Sequence, residues 1–76
     1  MILEVGQRVL IYTGETGTIT GSNKTDTYPE PSWYNVHIEG KAPFLIKFIP
    51  VSQVLPISSD ITEEKLKALK RLVFLK

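Results

Sequence analysis

The sequence predicts a mainly β domain: a five-stranded antiparallel barrel followed by one C-terminal α-helix. Three observations lead there. Short runs rich in β-branched and aromatic residues recur between glycine and proline punctuation from Gly6 to Ile57. The stretch Trp33 to Ile57, WYNVHIEGKAPFLIKFIPVSQVLPI, opens with strand alternation and turns at Gly40, Pro43 and Pro50. From Thr62 onward the apolar spacing changes to that of an amphipathic helix.

A chain of 76 residues makes one domain. It divides into a barrel over residues 6–57 and a linker with its helix over 58–76. A chain this short buries only roughly 60–65% of the surface that its unfolded form exposes, so the core is small. Without cysteine there is no disulfide, and a single histidine leaves none of the usual zinc spacings. No metal and no cofactor are expected, and the core must close by packing alone or against a partner chain. The hydrophobic content of 42% argues against disorder. Residues 1–57 hold four basic and five acidic side chains, a balance of −1; residues 58–76 hold five and three, a balance of +2. The basic excess is thus local to the tail, less than a dedicated nucleic-acid binder usually carries. No run approaches the ~20 apolar residues of a membrane span. Met1 is followed by Ile2 and Leu3 with no basic region, unlike a signal peptide. A cytoplasmic protein without a membrane partner is the expectation.

The elements follow in chain order. Arg8 to Tyr12 reads as the first strand, with Val9 and Ile11 on one face and Leu10 on the other. Thr13 to Gly17, with two glycines in five residues, is a tight connection. Thr18-Ile19-Thr20 forms the second strand, which makes a hairpin with the first. Lys24 to Ser32 is irregular, because Pro29 and Pro31 preclude a central strand. Trp33 to Glu39 is the third strand, with Tyr34, Val36 and Ile38 sharing a face. Phe44 to Ile49 is the fourth and is apolar on nearly both sides, so it wants cover on both. Pro50 to Gln53 makes a corner. Val54 to Ile57 is the last strand, confined to an edge by Pro56. The expected interior is Val9, Ile11, Ile19, Val36, Ile38, Ile46 and Phe48.

Thr62 is the expected helix N-cap, and Ile61 with Leu66 fits a hydrophobic staple. Glu63 and Glu64 suit the positive end of the helix dipole; Lys70, Arg71 and Lys76 suit the negative end. Leu66, Leu69, Leu72, Val73 and Leu75 form an apolar arc opposite Lys67, Lys70 and Arg71, with Phe74 among the basic residues. A lone helix of this length is marginal in water, so its leucine face needs a surface. Leu10, Leu45 and Ile49 point away from the expected interior, which places the helix over or beside the fourth strand. It could pack there within its own chain or by exchange into a partner, which would make a homodimer.

Three motif runs carry a family resemblance. W-Y-x-V-x-I-x-G from Trp33 and F-I-P-V-S-Q-V from Phe48 resemble the tryptophan strand and the strand–proline–short-helix corner of Src-homology-3 domains. G-x-x-V-x-I-x-x-G-x-x-G-x-I from Gly6 is similar to the opening hairpin of bacterial SH3-like barrels, which include KOW modules and small accessory subunits. The resemblance spans residues 6 to 57 and implies an SH3-like barrel. It implies that Trp33 and Pro50 occupy the positions of the groove tryptophan and proline. The groove tyrosine of the last corner falls at Gln53, and the acidic, tyrosine-bearing first-strand motif is absent. The hairpin loop Thr13 to Gly17 carries Glu15 and no basic residue, unlike the RNA-contacting loops of KOW modules.

No catalytic constellation emerges. His37 has no cysteine and no serine elbow with which to act, and a histidine at the surface near Trp33 explains it better. Adjacent Glu63 and Glu64 point different ways on a helix and suit its start. Gly14 and Gly17 sit between strands, not ahead of a helix, so they make no phosphate loop. Tyr12, Tyr28 and Trp33, with Pro50, form the candidate binding surface, since aromatics are enriched among binding hot spots. The expected function is that of a non-enzymatic interaction module or small accessory subunit, whose partner is another protein or a larger complex. The alternative is a KOW-type, RNA-binding barrel using Arg8, Lys24, Lys67, Lys70 and Arg71.

Overall fold

The computed structural model describes residues 3–27 and 29–73. Among these, five strands form one antiparallel sheet: β1 (Arg8–Ile11), β2 (Thr16–Ser22), β3 (Trp33–Ile38), β4 (Ile46–Pro50) and β5 (Val54–Pro56). A 3₁₀ turn, Val51–Gln53, joins β4 to β5, and helix α1 (Glu63–Val73) ends the described chain. The order across the sheet is β4-β3-β2-β1-β5. Four strands thus run as a meander, and the fifth returns to the far side of β1.

The β1–β2 hairpin turns through Gly14, whose φ of 89° is open to glycine and strained for other residues. Gly17 is needed for another reason: a Cβ there would lie 2.6 Å from the His37 carbonyl oxygen on β3. β2 pairs with β3 through a register shift between Ile19 and Gly21, where the Thr20 hydroxyl donates to the Asn35 carbonyl at 3.2 Å. This bulge bends the strand.

Val9, Ile11, Ile19, Tyr34, Val36, Ile38 and Ile49 form the main core, with Leu3 and Val54 packed against it. Six of the seven sit on β1 to β3 and Ile49 on β4, so the core draws on four of the five strands. The Tyr34 hydroxyl accepts the Leu3 N–H at 3.0 Å, which ties the N-terminal segment over this core. A second, smaller cluster lies beside β1 and β5. There Leu10, Ile57 and Leu66 are buried, with Leu55, Ile61 and Leu69 around them. Helix α1 therefore packs on its own chain. Thr62 caps it, its hydroxyl accepting the Lys65 N–H at 3.3 Å, and Ile61 joins the cluster of Leu66 as a staple should.

Three expectations are corrected. The first concerns β4, which begins at Ile46, two residues later than Phe44, after a turn closed by Leu45 N–H to the Ala42 carbonyl. The second concerns which side of β4 faces in. Tyr34 lies opposite Ile49 and Asn35 opposite Phe48, so Ile49 joins the core while Phe48 is 69% exposed and Ile46 only half-buried. A run apolar on both faces has no period to fix its register; the pairing with β3 fixes it instead. The third concerns the helix, which covers the β1–β5 side, at the opposite edge from β4. Of the three residues expected beneath it, Leu10 is there, Ile49 is in the main core and Leu45 is exposed. The linker leaves from β5, and Leu55 and Ile57 offer the nearest apolar surface. Leu72 and Val73 of the expected arc remain exposed; Phe74 and Leu75 lie outside the described residues.

Candidate interaction surface

Trp33 opens β3 from a pinned backbone. The Asn23 side-chain oxygen accepts the N–H groups of Ser32, at 2.7 Å, and Trp33, at 3.2 Å. One side chain thereby closes the irregular loop that precedes the strand. The Ser32 carbonyl in turn accepts the Val51 N–H at 3.1 Å, which extends the β3–β4 pairing into the corner. Trp33 stands opposite Pro50, so both project from the same face, away from the main core. Trp33 is 42% exposed, and Pro50 and Val51 are exposed beside it.

The same face continues to Phe48. It lies opposite Asn35 and diagonal to Trp33, a spacing of about 7–8 Å between backbones that aromatic side chains bridge. Asn35 lies over Gly21, and its buried Oδ1 has no hydrogen-bond partner among the described residues. Tyr12, 49% exposed, follows Ile11, which pairs with Val54 at the far end of the 3₁₀ turn. The turn that follows Pro50 thus ends next to β1, just before Tyr12. Tyr28 lies outside the described residues. The sequence missed Phe48 as a surface residue, and the only available signal was the two-faced apolar character of its strand.

At the far end of β3 from Trp33, the polar groups are paired with each other. Arg8 holds Glu39 through two hydrogen bonds, Nε to Oε1 at 2.7 Å and a second guanidinium nitrogen to Oε2 at 3.2 Å. The Thr16 hydroxyl donates to the same carboxylate at 2.7 Å. The Arg8 hydrogen bond first, then that from Thr16, holds Glu39 below the ordinary glutamate range. The same contact raises the Arg8 pKa. Glu15 is also held low, chiefly by the Thr13 hydroxyl and then by Lys47, whose Nζ is 3.6 Å away. His37 is half-buried, with Nε2 at 3.1 Å from the Lys41 carbonyl. Of the other basic residues singled out, Lys24 is exposed in the loop, and Lys67 and Arg71 line a shallow surface with Glu64 and Ala68. Among the described residues, no three His, Asp or Glu side chains group as a metal site would require.

No family model matches the chain, and neither does any curated protein or solved structure.

Proposed function

We propose that this chain is a non-enzymatic interaction module or small accessory subunit that docks another protein through the surface around Trp33. The observation that carries the reading is the alignment of Trp33 with Pro50 on an uncovered sheet face, with Phe48 next to them. A half-exposed tryptophan anchored by backbone hydrogen bonds costs little entropy to immobilise on binding, which is what hot spots require. We also propose that the sheet is an SH3-like barrel. Its support is the meander order, the return of β5 to β1 and the 3₁₀ corner after Pro50. The nucleic-acid reading is the weaker one, because Arg8 is engaged by Glu39, and Lys67 and Arg71 share their face with Glu64.

The test is site-specific photocrosslinking in the source cell, with the photoreactive residue at Pro50 or, as a control, at Glu64. Crosslinking of one defined protein from position 50, lost in the Trp33→Ala variant while the fold is retained, supports the reading. Products from position 64 alone, or RNA in place of protein at position 50, overturn it.

A further inference from the structure

We propose that the free edge of β4 is a second binding surface, which takes an extended acidic–apolar peptide segment of another protein as an added strand. The backbone gives the first argument. Antiparallel pairs alternate between residues that exchange hydrogen bonds and residues that do not. The Val51 N–H to Ser32 carbonyl bond fixes that alternation: Val51, Ile49 and Lys47 bond toward β3, so the N–H and C=O groups of Ile46 and Phe48 point away from the sheet. β4 is the last strand on its side, and among the described residues no other strand pairs with that edge. Pro50 ends the track, since it has no N–H to offer.

The side chains give the second argument. An open depression of about 480 Å³ lies at the start of this edge, lined by Ile38, Lys41, Phe44, Leu45, Ile46 and Lys47. Phe44 is 80% exposed and Leu45 is exposed with it. An unpaired strand with uncovered apolar side chains is the form of edge that accepts another strand. Charge selects the occupant. Two lysines and no acid line the depression, and one of them, Lys47, makes a surface pair with Glu15 at 3.6 Å. A second copy would bring its own Lys41 and Lys47 to the same place, so the lysines favour an acidic partner over self-pairing. The added strand seats an apolar side chain among Ile38, Phe44 and Leu45 and sets a carboxylate at Lys41 or Lys47. This surface does not rest on the Trp33 reading; either can fail alone.

The experiment selects from a display library of random peptides, about ten residues long to match a strand, against the immobilised full chain. The best binder is then synthesised and titrated. Expected are peptides that alternate apolar with other residues and carry Asp or Glu, with NMR shifts centred on the Ile46 and Phe48 amides. N-methylation of every second peptide amide should weaken binding roughly tenfold or more, while methylation of the intervening amides has little effect. Lys41→Glu with Lys47→Glu should weaken it by a similar factor, and Lys65→Ala on the exposed side of the helix should leave it unchanged. The methylation series leaves the protein untouched, so it decides the matter even where the charge reversal unfolds the chain. Failure to select any peptide, equal sensitivity at every amide, or shifts centred on Trp33 or the helix overturns the proposal. So does concentration-dependent dimerisation that moves the Ile46 and Phe48 amides without peptide, which assigns the edge to a second copy.

Discussion

The two edges of the sheet are handled in opposite ways. β5 has three residues, carries Pro56 and adjoins a helix whose Leu66 packs with Leu10 and Ile57. β4 has five residues, shows Phe48 to solvent and, among the described residues, has no such cover. Exposed edges invite pairing with other chains, and folded proteins usually shorten, cover or charge them. This chain applies the first two devices to β5 and, at β4, only a single lysine. The contrast teaches that the helix acts as a structural cover at one edge, while the other edge keeps apolar side chains in contact with solvent. Within β4 the contrast narrows to neighbouring residues, Ile49 in the core and Phe48 outside it.

The sharpest test of that narrow contrast is a pair of substitutions. Ile49→Ala should cost about 2–5 kcal/mol, as large-to-small changes in a core do, read as a fall in Tm of roughly 4–8 °C per kcal/mol. Phe48→Ala should stay within about 0.5 kcal/mol, as for other exposed sites. Equal losses would mean that β4 is covered on both faces. On the helix side, Leu66→Ala should cost about 2–3 kcal/mol, near the lower end for buried leucine because the cluster around it is small. An unchanged Tm would free the helix from its role as a cover. Thr62→Ala should cost about 1 kcal/mol through the lost cap.

The smallest effect belongs to Glu39, which is partly exposed, so its ion pair with Arg8 should be worth at most about 1 kcal/mol. Its pKa is lowered in the folded chain, chiefly by Arg8. The stability it contributes is therefore fully present above the ordinary glutamate value of about 4.3 and is lost as pH falls through the lower folded value. Wild type should exceed Glu39→Gln in urea denaturation at pH 7, and the two should converge toward pH 2. A gap that widens in acid contradicts the assignment.

Much of this architecture was legible in the sequence where patterns were one-sided. Tyr34, Val36 and Ile38 alternate with Asn35 and His37, and glycines mark the hairpin between β1 and β2. Thr62, Ile61 and Leu66 announce a helix start by local chemistry alone. The pattern failed where it was two-sided. Phe44 to Ile49 offers apolar residues to both faces, and only pairing with β3 decides between them. The helix position was hidden for another reason: it depends on where β5 ends in space, and Leu10 was as good a clue as Leu45. The candidate site was half legible. Trp33 and Pro50 stood out by residue type, but the exposure of Phe48 and the free groups of β4 follow from register, which no single-strand pattern carries.

The openness of β4 is the claim on which the comparison stands, and amide hydrogen exchange in the free chain tests it most directly. Every β4 amide sits in the same strand, so differences among them report hydrogen bonding to β3. The Lys47 and Ile49 amides should exchange slowly and the Ile46 and Phe48 amides fast, an alternation with period two that persists at low protein concentration. Uniform protection along Ile46 to Ile49 would contradict the account, because it would mean that the edge is already paired.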